Sequence, residues 1–217
     1  MARLTSGSGP ASRISALGLD GTTGAWEGTV DVGKSGLVLD YEGASPLATI
    51  VDQIKSARAA GWVGAGIGSS SAYGDASAAV AVAEASVLLA IGDGATAEFM
   101  GQTVDGSSLI IRYTKAGDAT LDGNVDFADL VKVAQNYGKT TGEGSWSAGD
   151  FNYDGKVDFG DLVMVAQNYG GAIDAGAVLG AEFSGEWAAA SALVPEPVGV
   201  LFLFLGPLVF RRGARRN

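Results

Sequence analysis

The chain has 217 residues, 47% of them hydrophobic, enough for a packed core and too apolar for a wholly disordered protein. Its 14 bases and 24 acids give a formal charge of −10, and four of the bases (Arg211, Arg212, Arg215 and Arg216) sit at the C-terminal end, so the remainder is strongly acidic. That balance disfavours nucleic acid as a partner and favours cations. Cys and His are both absent, which removes disulfides, the usual zinc sites and any mechanism needing an imidazole base.

In chain order, residues 1–25 are rich in Gly, Ser, Thr and Ala and read as a flexible lead-in. Met1 to Ser15 hold no apolar stretch of signal-peptide length, so this end shows no export signal: either the protein stays inside, or the chain is the C-terminal part of a longer exported one or has a different start. Val30 and Val32, then Leu37, Leu39 and Tyr41, alternate on either side of Gly33-Lys34-Ser35-Gly36 and predict a hairpin. Ser45 and Pro46 open a helix that carries Ile50, Ile54 and Ala57 on one face and stops at Gly61.

The following GWVGAGIGSSS has three spaced glycines, Gly64, Gly66 and Gly68, but lacks the strand before and helix after that a dinucleotide loop needs, so it reads as a turn. Ser69 to Ser71 have no histidine to activate them as nucleophiles. The Ala-rich run from Ala76 to Ala90 predicts a second helix, with Asp75 as its cap and Gly92 as its stop. Leu109 to Tyr113 (LIIRY) predicts a strand, and residues 26–115 together predict a small mixed α/β unit.

Residues 117–138 and 149–170 are the same at sixteen of twenty-two positions, an internal duplication that keeps GD, DG, VDF, DLV and VAQNYG. Its acids follow a calcium-loop spacing, in which side-chain oxygens come from positions 1, 3, 5, 9 and 12, a backbone carbonyl from position 7, and position 6 is Gly. The first loop supplies Asp118, Thr120, Asp122, Asn124, Asp126 and Asp129 around Gly123, and the second Asp150, Asn152, Asp154, Lys156, Asp158 and Asp161 around Gly155. Two carboxylates about 5 Å apart repel by roughly 3 kcal/mol at an effective dielectric near 20, so acids gathered this way call for a cation. Thr120 is a weaker neutral ligand than Asn152, which makes the second loop the better site. Val125 and Val157, at position 8, are placed to pair through a short β-bridge.

After each loop an apolar helical face follows, Leu130, Val131, Val133, Ala134 and Tyr137 in one copy and Leu162, Val163, Val165, Ala166 and Tyr169 in the other, ending at Gly138 and Gly170. A full EF-hand would also have a helix leading into each loop, but LIIRY precedes the first and GEGSWSAG the second. On these features residues 116–171 resemble the type I dockerin family, whose repeat is a calcium loop plus one following helix with Asp at position 12. The resemblance implies two bound Ca2+ and, as fold class, α+β: the mixed N-terminal unit, then an all-α dockerin-like calcium-loop and helix pair, then a C-terminal hydrophobic tail helix. Positions 10 and 11, which meet a cohesin in cellulosomal dockerins, are Phe127 and Ala128, then Phe159 and Gly160, and read here as packing residues.

Residues 172–193 form an Ala-rich linker or helix in which Phe183 and Trp187 share a face. In residues 194–217, Val194, Pro195, Glu196 and Pro197 precede an apolar run from Val198 to Phe210 and then RRGARR. This order resembles the PEP-CTERM sorting signal, which implies export and removal of the tail by a membrane protease of the exosortase type. Thirteen apolar residues span about 20 Å as a helix, short of a bilayer core of about 30 Å, and the arginines would stay on the cytoplasmic side. GASPLATI and FMGQTVDGSSLIIRYTKAGD also resemble the segment ahead of dockerin-like repeats in planctomycete-type surface proteins.

The expected function is therefore a non-catalytic calcium-binding module of an exported cell-surface protein, transiently membrane-anchored by its tail. It would attach to a cohesin-like or other surface protein, or stabilise the anchoring region. Alternatives are the C-terminal part of a secreted polysaccharide-degrading glycoside hydrolase, or of a β-rich adhesin. No catalytic constellation is visible, since the obvious acids belong to the loops and a glycosidase needs two carboxylates flanking a sugar site.

Overall fold

Short strands and the helix after Pro46 build the part of the chain up to Lys115, and the duplicated apolar faces build helices after it, giving an α+β fold. The computed structural model describes residues 2–3, 11–92, 94–142, 145–170 and 181–193. In chain order the elements are β1 (Ala2–Arg3), β2 (Ser12–Ile14), β3 (Gly21–Thr22), β4 (Ala25–Trp26), β5 (Thr29–Asp31), β6 (Gly36–Asp40), α1 (Leu47–Ala59), β7 (Gly66–Gly68) and β8 (Ala78–Glu84). There follow α2 (Ala85–Leu88), β9 (Thr96–Phe99), β10 (Gln102–Asp105), β11 (Ser108–Lys115), α3 (Phe127–Asn136), a 3-10 turn (Ser145–Ala148), α4 (Phe159–Asn168) and α5 (Ala181–Ala192).

The main sheet has the order β2-β6-β11-β8, with β11 antiparallel to both neighbours and β2 parallel to β6. Leu109, Ile110 and Ile111 at its centre are fully buried on both faces, as the LIIRY run predicts. A smaller parallel sheet has the order β1-β5-β7. The opening segment, read as a loose lead-in, supplies β2 to the main sheet in register Ser12↔Leu37 to Ile14↔Leu39, and Ala11 beside it is buried.

Helix α1 forms where predicted. Ser45 Oγ accepts the Leu47 N–H at 3.1 Å, Ile50, Ile54 and Ala57 face the core, and Gly61 with φ 69° turns the chain away. The glycines after it, expected as a turn, instead include Gly66 and Gly68 of strand β7, which pairs with β5, and they serve contact between helix and strand. A Cβ on Gly66 would lie 2.0 Å from Gln53 O and one on Gly68 2.2 Å from Trp62 O, so β7 can approach α1 and the turn after it only with glycine at these two positions.

Two further sequence expectations need correction. Val30 to Leu39 do not form a hairpin: β5 pairs with β1 and β7, β6 with β2 and β11, and the turn closed by Ser35 N to Val32 O at 3.1 Å carries the chain from one sheet to the other. The alanines after Asp75 are not a helix either. They form β8, and only the four residues of α2 are helical. Ala78 to Ala83 are buried, so both faces of the strand are covered, and tertiary packing of small side chains outweighs alanine's helix preference. Asp75 caps a turn instead, its Oδ1 accepting Ser77 N at 2.9 Å.

Buried residues from both sides of residue 116 belong to one hydrophobic cluster, from Val30 and Ile54 through Ile110 to Leu130, Trp146, Tyr153 and Val165. Helix α5 packs on α3, where Trp187 meets Tyr137 edge to face with ring centres 5.6 Å apart. Among the described residues no helix is long and apolar enough to cross a membrane.

Candidate metal-binding loops

The two loops have one backbone plan. Gly123 and Gly155 at position 6 take φ of 99° and 85°, and Leu121 and Tyr153 at position 4 take φ of 56° and 61°, an unusual conformation for side-chain-bearing residues that recurs at equivalent places. Each loop is followed directly by its helix. Strand β11 runs into the first and the four-residue 3-10 turn precedes the second, so no helix leads into either.

The carboxylates of positions 1 and 12 are buried. Asp118, Asp129 and Asp161 are 0% exposed and Asp150 is 1% exposed. Asp118 accepts Gly123 N at 2.8 Å and Asp122 N at 3.2 Å, and Asp150 accepts Gly155 N at 3.0 Å and Asp154 N at 3.1 Å. Thr114 Oγ1 also donates to Asp118. Position 12 closes each loop from the other end: Asp129 takes Thr120 N at 3.0 Å and Asp126 N at 2.8 Å, and Asp161 takes Phe151 N at 2.8 Å and Asp158 N at 2.9 Å.

Burial pushes the carboxyls of Asp129 and Asp161 up to about 6, despite these N–H donors. It also raises Asp118 and Asp150 above the usual carboxylate range. Like charges add to the effect, Asp118 acting on Asp129 and Asp150 on Asp161, so positions 1 and 12 of each loop sit within electrostatic reach of one another. Arg112 donates to the Leu121 carbonyl rather than pairing with an acid, and among the described residues the loop carboxylates form no ion pair with Lys or Arg.

Positions 5 and 9 are more open. Asp122 and Asp154 are exposed and accept N–H groups of their own loops, Asn124 N at 2.7 Å and Lys156 N at 2.9 Å. Asp126 and Asp158 cap α3 and α4, their Oδ1 atoms accepting Ala128 N and Gly160 N at 2.8 Å each. With Asp129 and Asp161 they complete reciprocal capping boxes. Sequence spacing missed that role, although an Asp followed by another three residues on, ahead of an apolar helical face, carries its signal. Thr120 Oγ1 reaches Asp118 Oδ1 at 3.3 Å, and Asn152 Nδ2 reaches Asp154 Oδ2 at 2.9 Å.

Among the described residues no three Asp or Glu side chains are gathered as a ready metal-holding group. The oxygens present nevertheless fit a hard cation. Every candidate donor is oxygen, the buried carboxylates form no ion pair with Lys or Arg among the described residues, although Arg112 lies within electrostatic reach of Asp118 and Asp122, and a cavity of ≈ 120 Å³ is lined by Asp150, Asp154 and Gly155 together with Val51, Lys55, Thr141 and Tyr153. Asn124 and Lys156 would contribute only their main-chain carbonyls. The sorting-signal residues Val194, Pro195, Glu196 and Pro197 lie outside the described residues.

The position 8 valines are buried, but do not pair with each other. Val157 O accepts Gly138 N at 2.8 Å and Val157 N donates to Lys139 O at 3.1 Å, while Val125 O accepts Gly170 N at 3.0 Å. Phe127 and Phe159, read as packing residues, are 37% and 58% exposed, because the first turn of each helix lies at the surface. Trp146, unassigned by the sequence, is fully buried, donates Nε1 to Asp118 O at 2.6 Å and packs against Phe151 and Tyr153 with ring centres 5.1 and 5.3 Å away. Comparison with protein-family models, with curated proteins and with solved structures returns no match.

Proposed function

We propose that residues 116–171 are a dockerin-like calcium-loop and helix pair that binds two Ca2+ and serves as a non-catalytic, calcium-dependent module of an exported cell-surface protein. The observation that carries this reading is the recurrence, in both loops, of a positive-φ Gly at position 6 between buried carboxylates at positions 1 and 12 that have no Lys or Arg partner among the described residues. Calcium takes six to eight oxygens, and its charge would offset both the desolvation that burial imposes on these carboxylates and the repulsion between them. Asp118, Thr120, Asp122, Asp126 and Asp129 with the Asn124 carbonyl would hold one ion, and Asp150, Asn152, Asp154, Asp158 and Asp161 with the Lys156 carbonyl the other.

Of the two roles open to such a module, the packing favours stabilising the attachment region over free presentation to a cohesin-like partner. The second loop lies against the N-terminal unit, with Arg58 Nη1 donating to Asn152 O at 2.9 Å and Tyr153 donating to Val80 O at 3.0 Å. The exposed Phe127 and Phe159 keep a surface-protein partner as the second reading. Export, sorting by an exosortase-type protease and a transient tail helix belong to the same proposal and rest on residues 194–217 alone. Circular dichroism with and without a chelator tests the calcium reading: helix signal from α3 and α4 should fall when calcium is removed, and an unchanged spectrum would overturn it.

A further inference from the structure

Strand β8 ends the order of its sheet, so one line of its main-chain groups faces away from β11. Unprotected edges invite pairing with other chains, and proteins blunt them with charge, proline or a cover. This edge has seven residues, AAVAVAE, of which the first six are buried. A strand so apolar needs a cover: α1 packs against it, and the rest of the cover comes from a distant part of the chain.

Tyr153, 3% exposed, donates its hydroxyl to Val80 O at 3.0 Å, occupying an acceptor that a neighbouring strand would otherwise use. The 3-10 turn carrying Trp146 lies beside β8, and the indole packs on the Tyr153 ring. Arg58 of α1 holds the preceding carbonyl, Asn152 O, at 2.9 Å. Positions 3 and 4 of the second loop are thus tied to the N-terminal unit by the Asn152 carbonyl and the Tyr153 ring. The Asn152 side chain and its neighbours Asp150 and Asp154 are the candidate ligands. Tyr153 is aimed at the strand by a backbone with φ of 61°, a conformation that the closed loop has to impose on a side-chain-bearing residue.

We infer that the second loop is a cation-set clamp on the open edge of the sheet: closed, it seals β8, and loss of the ion releases that edge while the inner strands stay paired. The inference rests on the reading of the loop as a calcium site. Its consequence is an edge exposed for strand pairing only where calcium is scarce.

Amide hydrogen exchange on the full chain, in calcium and in chelator, tests it, with calcium uptake measured separately by calorimetry. Val80 pairs with Tyr113 and turns its carbonyl outward, and the pleat places the Val82 main chain on the same outer edge. Chelation should speed exchange at Val80 and Val82 at least about tenfold and leave the β6 amides unchanged. In saturating calcium, Tyr153→Phe should speed exchange at the same two amides several-fold, again sparing β6. Calcium uptake with unchanged β8 exchange overturns the clamp alone, as does a uniform loss of protection over all strands. Absence of calcium uptake overturns the calcium reading and the clamp with it.

Discussion

Gly138 N donates to Val157 O at 2.8 Å, joining the end of α3 to position 8 of the other repeat's loop, and Gly170 N repeats the bond to Val125 O at 3.0 Å. The same exchange recurs in side chains. Asn136 Nδ2 reaches Ala148 O at 3.0 Å and Asn168 Nδ2 reaches Ala116 O at 2.8 Å, each spanning to the residue two before the other copy's first Asp. Gly117 lies against Val165 and Gly149 against Val133. Residues kept by the duplication therefore include those that bind the two copies to each other, and each loop leans on the other copy's helix.

Gly149→Ala should destabilise the protein more than Gly138→Ala. Both positions have positive φ, 109° and 77°, but a Cβ on Gly149 would also sit 3.0 Å from Val133 Cγ2 and 3.1 Å from its Cα, whereas one on Gly138 meets nothing within 4 Å. Backbone strain alone costs about 1–2 kcal/mol, and the added contact should bring Gly149→Ala to about 3 kcal/mol. Urea unfolding of the two variants measures the difference, and equal losses would show that the repeats are not tightly apposed there.

Metal-free stability should fall as pH rises from about 4 to 6. Asp129 and Asp161 have folded-state values of about 6 against an ordinary 3.8, so the folded chain binds more protons than the unfolded one inside that window. Stability follows the difference in bound protons and therefore declines across the window as both groups are forced to ionise in place. Calcium reverses the sign, because it binds the ionised carboxylates and competes with protons. Melting curves at several pH values, in chelator and in calcium, should show opposite slopes, and parallel slopes would rule out these acids as ligands.

Thr120→Asp should strengthen the first site. Thr120 is the one neutral hydroxyl in a position where the second loop has Asn152, and its Oγ1 already faces Asp118 Oδ1 at 3.3 Å. An added carboxylate raises affinity through ligand charge, by roughly tenfold. Without metal the same change should lower stability, since it adds another acid to the loop. A calcium titration followed by protein unfolding reads both effects.

Trp146 should report on loop closure. Its indole is fully buried and bonded to Asp118 O at 2.6 Å, so its emission should shift to the red and quench less selectively when a chelator opens the first loop. Trp146→Phe keeps ring packing but leaves that carbonyl without its donor, a loss of about 1–3 kcal/mol. Fluorescence of a variant retaining Trp146 as its sole tryptophan checks the first point, and thermal unfolding the second.

Local chemistry made much of this fold readable. The Ser45 and Pro46 start of α1, the LIIRY strand and both loop and helix copies depend on neighbours within a few residues, and they lie where the pattern puts them. The misreadings share a cause in long-range partners. Ala78 to Ala83 look helical until the cover on both faces of β8 is known, and Val30 and Leu39 look like one hairpin until their strands join different sheets. In the loops, the ligand spacing drew attention away from the caps that Asp126 and Asp158 also provide, although an Asp three residues ahead of another at a helix start carries that signal. Spacing could not place Tyr153 on Val80, seventy-three residues away.

Isothermal calorimetry of calcium binding to the metal-free chain tests the two-site reading most directly. Two ions should bind per chain, with dissociation constants between about 10⁻⁷ and 10⁻³ M and the second loop the tighter. Asp150→Ala should remove the tighter step and Asp118→Ala the weaker. A chain that takes up no calcium, or whose uptake survives both substitutions, would leave the duplicated acids as helix caps and turn formers only.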